Sequence, residues 1–147
     1  MLTPVISGPP AEERAIAINI IEETRPSERL IDWGIRTAVS KALRDARIRT
    51  DSDNYDAVRA HVLERARQDS EAIWIKARWC MAGDLAGSLT IEELESLYQF
   101  VQTDTGRSIW RKTRGLKSDV LRRCFLKESD IEVLPEDMEP AKAKVKD

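Results

Sequence analysis

The sequence predicts an all-α fold: a compact bundle of about five helices, with a long central third helix and a mobile acidic C-terminal tail. Three observations carry this. The 147 residues include only six glycines and six prolines, too few punctuating residues for a turn-rich sandwich or barrel. The β-branched residues are scattered rather than gathered into runs. Apolar residues instead recur at helical spacing between capping and turn-forming residues. The length fits one domain, read as an N-terminal extension (1–10), a helical bundle (11–128) and a flexible acidic tail (129–147).

The first helix opens in "SGPPAEER", where proline is tolerated and Glu12 and Glu13 suit the positive end. Ile16, Ile20 and Thr24, with Ile21 beside them, form its apolar stripe, and Pro26 ends it. Ser27 caps the second helix, whose buried face is Leu30, Ile31, Ile35, Ala38, Val39 and Ala42. A polar loop follows near 46–53. Asp53 is expected to cap a third helix running unbroken to about Gly83, with Val58, Val62, Ala66, Ile73, Ala77 and Cys80 on its inner face. "GDLAGS" breaks the pattern. After residue 128 two prolines and no helical period predict the tail.

The stretch "LTIEELESLYQFVQTDTGRSIWRK" carries the most local information. Thr90 and Glu93 have the spacing of a capping box, which opens a short fourth helix with Leu94, Leu97, Tyr98 and Val101 buried. Thr103 caps a fifth helix spanning 104–127, with Asp104 at its positive end. Gly106 then sits in its first turn, where glycine costs up to roughly 1 kcal/mol relative to alanine. The compensating gain is close approach of backbones, which only a residue without Cβ permits.

The pattern T-x-E-E-L-x-x-L-x-x-F-x-x-T-x-x-G-R, on Glu92, Glu93, Leu94, Leu97, Phe100, Thr103, Gly106 and Arg107, resembles the signature of an uncharacterised family of helical bacterial domains. These are proteobacterial, mostly exported and of unknown function, with a core reading EEL…F-x-x-T-x-x-G-(K/Q/R). The opening helices resemble theirs as well, so the likeness spans residues 11–127. It implies a helical fold and no particular activity. Val101 stands where the family has an aromatic residue and Asp104 where it has proline. The start of the sequence shows no export signal. The chain as given reads as cytoplasmic, or periplasmic if an upstream signal peptide has been removed.

Composition excludes several classes. A net charge of −2 and the lack of any apolar stretch near 18 residues argue against nucleic acid as a partner and against a membrane span. His61 is the only histidine, and His61-x-x-Glu64 alone is no metal motif, so no cofactor or metal is expected. The adjacent pairs Glu22–Glu23 and Glu92–Glu93 point apart on a helix, and no phosphate-binding glycine loop appears. The chain does not read as an enzyme. Cys80 and Cys124 fall on inner helix faces, where buried thiols are favoured over the disulfide that export would allow.

Two surfaces remain. Residues 101–127 hold eight basic and two acidic side chains. Ile109, Thr113, Leu116, Val120 and Cys124 are their expected buried face, with Arg107, Arg111, Arg114 and Arg122 opposite, within an arc of roughly 80°. That arc offers an anion or lipid-headgroup seat, or a solvated face neutralised by the acidic tail. From Ala72 to Ala82 the third helix is apolar nearly all round, so Ile75 and Trp79 are either wrapped by neighbours or exposed for self-association or a protein partner. The reading is a non-catalytic helical interaction module. Its alternative is an anion- or acidic-lipid-binding domain acting through the basic face.

Overall fold

A computed structural model of the chain describes residues 10–113 and 118–138. Helices dominate them: α1 (Ala11–Glu23), α2 (Glu28–Asp45), α3 (Tyr55–Gln68), α4 (Ser70–Ser88), α5 (Ile91–Val101), α6 (Asp104–Thr113) and α7 (Ser118–Glu128). A single helical turn follows at 135–138, and no strand occurs among the described residues. The all-α class stands, with more and shorter helices than the five expected. The chain divides into two compact units. Unit 1 is drawn from Met1–Arg25 and Arg78–Val120, and unit 2 from Pro26–Ala77 and Leu121–Asp147.

The expected long third helix is two helices. The Asp69 amide donates to the Ala66 carbonyl, closing α3 with a tighter turn, and the Asp69 carbonyl accepts from Ile73 to open α4. Arg65 and Arg67 sit in the last turn of α3 and Glu71 in the first turn of α4. Each helix end thus has the charge its dipole favours. A one-residue break leaves the apolar stripe nearly in phase, which is why periodicity misses it. α4 then runs past Gly83 to Ser88. The N-cap of α3 is Asn54, not Asp53, and its side chain makes no capping bond.

In unit 2, α2 packs against α3. Arg67 on α3 grips Asp32 on α2 with two hydrogen bonds, of 2.8 and 3.0 Å. The Ser27 hydroxyl accepts from the Leu30 amide at 3.2 Å, as the cap reading requires. Gly34 lets the ring of Phe125 lie flat on α2: a Cβ there would fall 2.6 Å from a ring carbon. Phe125 and Trp74 are fully buried.

In unit 1, α1 packs on α5 and α5 on α6. The capping box forms as read: the Thr90 hydroxyl accepts from the Glu93 amide at 3.2 Å, and the Glu93 carboxylate from the Thr90 amide at 2.9 Å. Between α5 and α6 the Thr103 hydroxyl donates to the Phe100 carbonyl at 2.8 Å and accepts from the Gly106 amide at 2.9 Å. Arg107 turns back and donates to the Val101 and Gln102 carbonyls at 3.2 and 3.1 Å. The orphan carbonyls at the end of α5 are therefore satisfied by the start of α6. Gly106 makes this possible, because a Cβ there would lie 1.7 Å from the Phe100 carbonyl oxygen.

Other expectations change. Ile109, expected in a buried face, is 43% exposed, while Leu121, Cys124 and Phe125 supply the buried side of α7. Neither cysteine is a free buried thiol, since both Cys80 and Cys124 are disulfide-bonded. Residues 129–138 are not a structureless tail: they include the turn at 135–138 and the buried Asp137. The rest of the expected tail, the extension at 1–9, and Arg114 and Leu116 of the expected fifth helix lie outside the described residues.

Two glycine substitutions separate propensity from packing. Gly87 has open space around it, so Gly87→Ala should raise stability by about 0.5–1 kcal/mol. Gly106→Ala should lower it by about 1–3 kcal/mol, the cost of overpacking. Urea unfolding followed by circular dichroism measures both, and equal shifts at the two positions would contradict the close-approach account.

Candidate functional site

Unit 1 contains a cleft of about 800 Å³. Its floor comes from α1 and α4, where Ile20, Ile21 and Met81 are buried. Thr24 lies beside them, its hydroxyl donating to the Ile20 carbonyl at 2.8 Å. α5 forms one wall with Ser96, Leu97 and Phe100, and Trp110 of α6 and Val120 of α7 complete the apolar lining. Phe100 is 42% exposed. The corner described above sets where this ring stands, because the backbone of Phe100 is the point against which α6 begins.

Four carboxylates also line the cleft: Asp84 on α4, Glu92 and Glu93 on α5 and Asp119 on α7. No Lys, Arg or His is among the described lining residues. The backbone amide and hydroxyl of Thr90 hold the Glu93 carboxyl below its usual range, so Glu93 carries full charge near neutrality.

A second cluster occupies unit 2. Asp137 is buried, and Arg65 on α3 donates to its Oδ2 at 2.7 Å. His61 Nδ1 lies 3.0 Å from Oδ1, and the Leu134 amide donates to Oδ2 at 2.7 Å. Arg65 also donates to the Glu132 carbonyl at 2.6 Å. An ionised carboxylate only accepts, so Nδ1 is the protonated ring nitrogen. Burial pushes the Asp137 carboxyl up. The hydrogen bonds from Arg65, His61 and Leu134, with the Arg65 charge, outweigh it and hold the group below the usual carboxylate range. This arrangement clasps residues 132–137 onto α3. Among the described residues no group of three or more His, Cys, Asp or Glu side chains is placed to hold a metal ion.

The residues expected to bind anions sit in different surroundings. Arg107 pairs with Asp104, reaches Glu23 at 3.4 Å and caps α5, so its charge is engaged within unit 1. Arg111 is exposed in unit 1 and Arg122 in unit 2, and Arg114 lies outside the described residues. Ile75 and Trp79 are 46% and 52% exposed, so the apolar half of α4 is not wrapped on every side. Trp79 is not bare either. The Arg14 guanidinium of α1 lies 3.6 Å from its ring centroid, a cation–π contact. Gly83 makes room for that guanidinium, since a Cβ there would lie 2.8 Å from Arg14 Nη2. No described helix is long and apolar enough to cross a membrane.

Sequence reasoning missed both the cleft and the clasp. The cleft joins separated stretches that share no local motif. The clasp pairs residues 72 and 76 positions apart. The one available signal was "LPED", a proline-led acidic turn in which Asp137 falls three residues after Leu134. Comparison with family models, curated proteins and solved structures finds no match.

The clasp carries a pH signature. Because the folded pKa of Asp137 is lowered, its contribution is fully present above the usual carboxylate range and is lost as pH falls through the folded value. Asp137→Ala should cost about 1–3 kcal/mol at neutral pH. The gap from the parent protein in urea unfolding should narrow below about pH 4. A gap that stays constant down to pH 2 would show that Asp137 does not act through its charge.

Proposed function

We propose that this chain is a non-catalytic helical interaction module and that the cleft of unit 1 is its binding surface. The observation that carries this is the cleft itself: concave, about 800 Å³, with an apolar floor and a half-exposed phenylalanine in its wall. Ligand sites are concave and mostly apolar, with a few polar groups that orient the occupant. The nearest carboxylates serve helix capping or stand exposed, and no hydrogen-bonded nucleophile–base pair lies among the described lining residues, which favours binding over turnover. The resemblance to the exported helical family remains part of this reading. Disulfide-bonded Cys80 and Cys124 are in keeping with an oxidising compartment. The alternative, anion or acidic-lipid binding through Arg107, Arg111, Arg114 and Arg122, is weakened because Arg107 is engaged in capping and ion pairs.

A neutral apolar dye tests the reading. N-phenyl-1-naphthylamine should brighten on mixing with the native chain. Ser96→Trp, a substitution at an exposed lining position, should abolish the signal by filling the cleft, with the melting temperature within about 4 °C, as a loss below roughly 1 kcal/mol would give. No brightening, or equal brightening of parent and variant, would remove the cleft as the binding surface.

A further inference from the structure

We infer that the cleft of unit 1 takes a small organic cation, an aliphatic or arylalkyl amine, with its apolar part on the floor and its ammonium facing the carboxylates. This rests on the reading of the cleft as a binding surface and adds the chemical class of the occupant. Asp84, Glu92, Glu93 and Asp119 line the cleft, and none of the described lining side chains is basic. Glu92 and Asp119 are exposed and make no ion pair among the described residues. An apolar cleft under one sign of charge concentrates the opposite sign.

Helix electrostatics explain why some of these carboxylates are present. Glu92 and Glu93 lie in the first turn of α5 and Asp119 in the first turn of α7, where they offset the positive helix ends. Each helix end carries only about half a charge, so among the described lining residues negative charge predominates. The aromatic side chains act in the same direction. The faces of Phe100 and Trp110 attract a cation that approaches within about 6 Å. Size decides between a small molecule and a protein segment: a volume of about 800 Å³ is within the roughly 300–1,000 Å³ that holds one small ligand. An apolar anion of equal length would bring its charge against the carboxylates, and a neutral alcohol would gain only from burial.

Isothermal titration of the full, disulfide-bonded chain tests the assignment with octylammonium, octanol and octanoate at pH 7. A blocked lysine–leucine hexapeptide is the fourth probe. Octylammonium should bind at least tenfold more tightly than octanol, with octanoate weakest, and the margin should shrink as salt rises. In the double variant Glu92→Gln/Asp119→Asn, checked for unchanged helicity, the tenfold margin should fall below threefold. Equal binding of octylammonium and octanol would overturn the cation assignment while leaving the cleft as a binding surface. No binding of any probe would overturn both. A margin retained in the double variant would also overturn the proposal, and tighter binding of the hexapeptide would reassign the cleft to a protein segment.

Discussion

Unit 1 turns on one contact, the approach of the Gly106 backbone to the carbonyl of Phe100. That approach lets Thr103 bridge the two helices, with its hydroxyl donating to Phe100 and accepting from Gly106. It also lets Arg107 fold back onto the last carbonyls of α5. A helix end normally leaves its carbonyls to water or to its own last turn. Here the next helix satisfies them, so α5 and α6 form one corner. The wall of the cleft is the exposed consequence: Phe100 on one side of the corner and Trp110 on the other both line it.

The local chemistry of that corner was legible in the sequence because caps and glycines act over three or four residues. Thr90 with Glu93, Ser27 and Thr103 all cap as their spacing implies, and Gly106 has the close neighbour its position demands. What failed depended on longer range or on interruptions smaller than the helical period. A single non-helical residue at Asp69 splits the expected long helix without disturbing the stripe. The buried face assigned to Ile109 assumed one continuous helix from 104 to 127, whereas α6 is described only to Thr113, with Ile109 exposed on it. The acidic residues after 128 read as a solvated tail because the stretch has no helical period. Asp137 finds one partner locally, in the Leu134 amide, and the others on α3.

Several of the described arginines fasten elements together. Arg67 fastens α3 to α2 through Asp32, whose carboxyl is held below its usual range chiefly by that hydrogen bond. Arg65 fastens 132–137 to α3, Arg107 locks the corner, and Arg14 lies against Trp79. A count of arginines along one helical arc therefore overstates the free positive surface. The carboxylates around the cleft contrast with this. Glu92 and Asp119 stand exposed beside apolar side chains, and burying those side chains against a ligand would strengthen any charge interaction made there.

The proposed binding surface is the corner-built cleft of unit 1. Amide hydrogen exchange of the full chain, with and without saturating octylammonium, tests it most directly. The account predicts added protection in peptides covering the end of α4, α5 and the start of α6, with α3 and residues 132–137 unchanged. Protection confined to α3 and residues 132–137, or spread evenly over both units, would contradict it.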